Sequence, residues 1–136
     1  MIMEQLKLHL LCCLLIGVMW TVSADGTSNW QLPTVEAVQH SLQSCQAQAA
    51  GEAANTLRCL AKQLGLWSDI DGFKAKRIAY MFAEHQQMEE LIVVIDYCNN
   101  REQRKQQPAQ WAYAAYKCAT AGRFGRWVEE YMNNIK

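Results

Sequence analysis

Proline is nearly absent from this chain, with two residues, Pro33 and Pro108, among 136. Charge is sparse too: 19% of residues are charged, and Lys+Arg 13 offset Asp+Glu 13. Without a basic excess the chain is not built like a nucleic-acid binder or a polybasic membrane-surface protein. Its 51% hydrophobic content excludes intrinsic disorder. Past the N-terminus the longest aliphatic run is Leu91–Ile95, far too short to cross a bilayer. No alternating strand pattern of useful length appears. Catalytic signatures are missing as well: there is no G-x-S-x-G and no H-E-x-x-H. His40 and His85 are the only histidines beyond the N-terminal run. No C-x-x-C pair is present, which argues against a zinc site. The expectation is a helical, non-enzymatic protein with no metal and no cofactor.

What is present begins at the N-terminus. Leu8–Trp20 is an apolar run broken only by His9 and Gly17. Its length suits a signal-peptide core of roughly 7–15 residues and falls short of the roughly 20 a membrane span needs. Val22-Ser23-Ala24 supplies small residues before a cut at Asp25. Residues 1–24 are therefore expected to be a cleaved signal peptide, and residues 25–136 a secreted, extracellular domain that is monomeric and not membrane-bound. Cys12 and Cys13 leave with the signal, so Cys45, Cys59, Cys98 and Cys118 remain. Four cysteines in a short secreted chain read as a disulfide framework with three possible connectivities. Sequential pairing would close two short loops, at about 3 kcal/mol each in the chain-entropy model.

Helical periodicity accounts for the rest. A first helix starts near Pro33 and carries Val35, Val38, Leu42, Cys45 and Ala49, until Gly51 breaks it. A second spans about Ala53–Leu64 with the stripe Leu57, Leu60, Ala61, Leu64, and Gly65 suits its C-terminal cap. Leu66–Gly72 reads as a loop, with Asp71 capping a segment that starts at Phe73. A third helix carries Ile78, Ala79, Met81 and Phe82. A fourth, from about Gln86, carries Met88, Leu91, Ile92, Ile95 and Cys98, with His85 at the bend unless the two are continuous. Asn99–Gln107, with no apolar residue, reads as a solvated loop. A fifth helix begins at Pro108 and carries Trp111, Ala115, Tyr116, Cys118 and Ala119 up to Gly122. A sixth carries Phe124, Trp127, Val128, Tyr131 and Ile135. The fold class is thus all-α, a compact bundle of about six short helices. Sequential pairing would staple helix one to two and helix four to five.

Two motifs dissolve on inspection. An EF-hand alignment of Trp67–Ile78 keeps Asp69, Asp71 and Gly72 but lacks both end ligands, including the bidentate glutamate. Gly122–Arg126 is a single scrap of an RGG pattern in a neutral chain. The aromatics say more. Trp111, Tyr113 and Tyr116 cannot share one helix stripe. With Met81, Met88 and Met132 nearby in the pattern, they suggest the walls of a ligand cavity.

The residues Leu57-Arg58-Cys59-Leu60-Ala61-Lys62, Leu64-Gly65-Leu66 and Asp69–Phe73 resemble the insect odorant-binding proteins of the pheromone-binding type. So do Asp96-Tyr97-Cys98 and Ala112–Cys118. The family's second and fifth cysteines, normally bonded to each other, fall at Asn55 and Ala109 here, which resembles its four-cysteine subclass. The stretch between Cys45 and Cys59 is shorter than the family's, a shortening similar to that of salivary odorant-binding-like proteins of blood-feeding flies. The resemblance implies pairing Cys45–Cys59 and Cys98–Cys118, and a pocket that binds a small hydrophobic or amphipathic ligand without turnover. That ligand would be an odorant, a pheromone, or a host mediator such as a biogenic amine or lipid. Helix faces nominate Leu64, Trp67, Ile78, Phe82, Met88, Leu91, Trp111, Ala115, Phe124 and Trp127 as pocket residues. Tyr113, Glu84 or Asp96 would be polar partners of an amine. The competing expectation is a secreted salivary protein that engages a receptor or host macromolecule through its surface and has no pocket. Trp111 and Trp127 around a cavity would favour the first, and Trp30 and Trp67 exposed in one patch the second.

Overall fold

The computed structural model describes residues 29–103 and 107–135. The signal-peptide reading of residues 1–24 lies outside the described residues, and the fold is that of the unit beginning at Leu32. Six α-helices dominate the described residues: α1 Val35–Gln48, α2 Ala53–Gln63, α3 Ala75–Phe82, α4 Met88–Glu102, α5 Pro108–Thr120 and α6 Arg123–Asn134. The all-α expectation therefore holds, and so do both staples. Cys45–Cys59 joins α1 to α2 and Cys98–Cys118 joins α4 to α5, with Cα–Cα distances of 5.6 and 5.7 Å. Both fall in the ordinary range for a disulfide. None of the described helices is long and apolar enough to cross a membrane.

Local chemistry explains where the helices begin and end. Thr34 caps α1, its hydroxyl accepting from the Ala37 N–H. Glu52 caps α2 with both carboxylate oxygens, on the N–H groups of Ala54 and Asn55. Gly65 follows α2 at φ 72°, in the left-handed region expected of a residue that closes a helix. Pro108 opens α5 in its first turn. α5 runs through the middle, packed on α2, α4 and α6. Its Ala112 and Ala115 are completely buried, and such small side chains let the neighbouring helices come close.

Three expectations need correction. The Leu66–Gly72 segment is not merely a loop. Trp67–Ser68 and Gly72–Phe73 pair as a minimal antiparallel hairpin, β1 and β2. Two-residue strands are too short to leave a periodic signal. Asp71 does not cap a helix at Phe73: α3 starts at Ala75, Lys74 stands at its cap without a side-chain bond, and the Asp71 carboxylate instead accepts from the Ser68 hydroxyl and from Lys74. The polar run after Cys98 is not all solvated loop. α4 continues to Glu102, and Asn99 is buried because its amide bonds the Phe73 backbone at both ends. A 3-10 turn at His85–Gln87 separates α3 from α4.

Candidate functional site

The stripes of α1, α2, α3, α5 and α6 converge on a cavity of about 180 Å³. α2 contributes Leu57, Leu60, Ala61 and Leu64; α3 contributes Ile78, Met81 and Phe82. α6 supplies Phe124, Val128, Tyr131 and Met132, and Val38, Ile95, Tyr116 and Ala119 come from α1, α4 and α5. Leu66 and Phe73 close it from the hairpin end. For scale, an engineered apolar cavity of about 150 Å³ holds benzene. Among the described residues no charged side chain lines the space, and the hydroxyls of Tyr116 and Tyr131 are its only side-chain hydrogen-bonding groups of any strength. Burial pushes both phenols above their ordinary value, for Tyr116 with a smaller contribution from Tyr113. Both therefore stay protonated at neutral pH and are able to donate to a ligand oxygen. Phe82 orders one wall, meeting Phe124 and Tyr131 edge to face with centroids 5.5 and 5.2 Å apart.

A second cavity, of about 150 Å³, is lined by Glu90, Leu91, Val94, Cys118, Ala119, Gly122, Arg123, Phe124 and Trp127. Of the residues nominated from helix faces, Leu64, Ile78, Phe82 and Phe124 line the first cavity. Leu91, Phe124 and Trp127 line the second. Trp67, Met88, Trp111, Tyr113 and Ala115 line neither, nor do Glu84 and Asp96. Trp67 and Trp111 instead pack edge to face at 4.7 Å beneath the hairpin. Each indole N–H is spoken for, by Asp69 and by the Asn99 carbonyl. Trp67 is 4% exposed, so no surface patch is built on it. Tyr113 carries the Lys117 ammonium over its ring at 4.7 Å. The aromatic and methionine pattern points to Tyr116, Met81 and Met132 as walls, which they are, but nothing in it singles out Leu57, Leu60, Val128 and Tyr131. Most of them sit on stripes visible in the sequence, but a stripe does not say which of its members meets a void.

Asp69 holds the hairpin to α2. Its carboxylate accepts from Arg58 Nε at 2.9 Å and from Arg58 Nη2, from Lys62 at 3.3 Å and from the Trp67 indole at 2.7 Å. The Arg58 hydrogen bonds dominate in holding its carboxyl well below the ordinary value of 3.8, against the opposing effect of burial. No cluster of potential metal ligands occurs among the described residues.

The family model described as PBP/GOBP family matches residues 31–121. No curated protein and no solved structure matches the chain significantly. The matched stretch takes in both disulfides and five of the six helices and stops short of α6. Members of this family are binding proteins for small hydrophobic ligands rather than enzymes, and both disulfides suit the extracellular setting in which they work. The match covers most of the sequence, and the chain belongs to the PBP/GOBP family, within the insect odorant-binding protein superfamily.

Proposed function

We propose that residues 25–136 form a secreted, non-enzymatic carrier or scavenger that holds a small, neutral, mostly apolar ligand in the cavity between α2, α3 and α6. The observation that carries this reading is the cavity's lining, apolar throughout except for two tyrosine hydroxyls. Taking a carboxylate or an ammonium out of water into such a lining costs several kcal/mol without a counter-charge. A neutral odorant-like compound with one hydroxyl or carbonyl pays no such penalty. Of the ligand classes the resemblance allows, the lining therefore favours neutral volatiles over biogenic amines and fatty acids. The four-cysteine pattern and the short α1–α2 connection support the salivary four-cysteine subclass as the setting, with scavenging as the action there.

The test is displacement of an apolar fluorescent probe from the disulfide-bonded protein by neutral alcohols, by a fatty acid and by aromatic amines. Displacement by the neutral compounds alone is expected. Displacement by amines in preference would overturn the neutral-ligand reading. No probe uptake at all would hand the lead to a surface-acting secreted protein that engages a receptor or host macromolecule.

A further inference from the structure

The first cavity has a neighbour, and the two share a wall. Ala119 and Phe124 line both, so these two side chains stand in the wall between them. The compartments differ in chemistry. Among the described residues no charged one lines the first, whereas Glu90 and Arg123 stand beside Leu91, Val94 and Trp127 in the second. Glu90 and Arg123 lie 3.7 Å apart with their side chains 54% and 67% exposed, so the second cavity meets solvent at an ion pair. The sequence of environments is an apolar compartment, a thin partition, and then a compartment with a donor and an acceptor at its outer end.

The backbone that carries Phe124 is fixed by its surroundings. Phe124 sits in the first turn of α6, two residues past the Gly122 corner. The Gly125 N–H donates to the Gly122 carbonyl at 3.1 Å, and a Cβ on Gly125 would collide with the Thr120 carbonyl oxygen. That corner holds the backbone, so only a turn of the buried Phe124 ring about χ1, out of its edge-to-face contact with Phe82, opens a way between the two spaces. All the α6 residues concerned lie beyond the stretch matched to the family.

Resting on the carrier reading above, we propose that the second cavity is an extension subsite and that Phe124 determines ligand length. An unbranched neutral amphiphile fills the first cavity with its chain, turns the Phe124 ring aside, and sets a terminal hydroxyl between Glu90 and Arg123. The hydroxyl donates to the carboxylate and accepts from the guanidinium, so both charges keep a partner. A charged head group would suit one of them and be repelled by the other.

The experiment is displacement of N-phenyl-1-naphthylamine from the disulfide-bonded protein by primary alcohols from hexanol to dodecanol. Affinity in the unmodified protein should rise about fourfold per added methylene along the whole series. Val94→Trp fills only the second cavity. It should leave hexanol unaffected and end the rise beyond about octanol. Should that variant fail to fold, Glu90→Ala with Arg123→Ala alters two exposed side chains, and should weaken dodecanol by about threefold to tenfold and hexanol not at all. Affinities that climb to dodecanol unchanged in the folded variant would overturn the extension and leave the small-ligand reading standing. If no alcohol displaces the probe from the unmodified protein, the carrier reading fails and takes the extension with it.

Discussion

Two polar side chains hold together what the hydrophobic stripes do not. Asp69 ties β1 to α2 through Arg58, Lys62 and Trp67. Its carboxyl is depressed in the fold, so the stability it contributes is complete above the unfolded value and is lost as pH falls through the folded one. Asp69→Asn should lower unfolding free energy by about 1–2 kcal/mol at neutral pH, a figure reduced for its partial exposure. It should also flatten the acid side of the stability curve below about pH 4. Chemical denaturation at pH 7 and at pH 3 checks both: an equal loss at the two pH values would contradict the assignment. Asn99 does the corresponding work between α4 and the hairpin, donating to the Phe73 carbonyl at 2.9 Å and accepting from the Phe73 N–H at 3.0 Å. Removing its amide leaves two backbone groups without partners, and Asn99→Ala should cost about 2–4 kcal/mol by the same assay. Gly72→Ala should fail in the same direction. Its φ is 84°, and an added Cβ would lie 2.7 Å from the Asn99 oxygen.

The helices owe their limits to their own residues and their function to their neighbours. Thr34, Glu52, Gly65 and Pro108 mark starts and stops through groups within a few residues, which is why the boundaries beside them read from the sequence agree with the structure to within a residue or two, whereas the end of α4 overruns the expected one by four residues. The cavity arises differently. It persists because Ala61 on α2 and Ala119 on α5 are too small to fill the space that the larger side chains of α3 and α6 frame. Nothing along α2 distinguishes Ala61 as a cavity wall from an alanine that admits a close helix contact, which is what Ala112 does on α5. Ala61→Phe should abolish probe uptake while the melting temperature stays within a few degrees, because the ring enters an existing void rather than an occupied core. Unimpaired uptake by a folded Ala61→Phe protein would place the ligand elsewhere.

The two disulfides divide the bundle unequally. α1–α2 and α4–α5 are cross-linked, while α3 and α6, which frame much of the cavity, carry no disulfide and are held by packing and by polar contacts such as Arg77 to the Gly65 carbonyl and Arg123 to Glu90. Cys98→Ser with Cys118→Ser removes the bond between α4 and the central helix. It should lower stability by about 3 kcal/mol, and the melting temperature by on the order of 10–20 °C for a domain this size. A thermal scan with an unchanged midpoint would contradict that role.

Helix content, the six stripes and the four-cysteine framework were all written in local pattern. A period of three to four residues, a cap and a glycine act over a few positions, and the chain carries those signals whatever it later packs against. The buried tryptophans show where that reach ends. Trp111 and Tyr113 read as cavity walls because they are large and fall on mixed faces of one helix, yet Trp111 packs against Trp67 of the hairpin and Tyr113 pairs with Lys117. The hairpin itself, the burial of Asn99 and the convergence of α2, α3 and α6 on one void depend on partners distant in the chain. An empty space is what packing leaves over. It belongs to no residue, and so it emerges only when all the helices are set against one another.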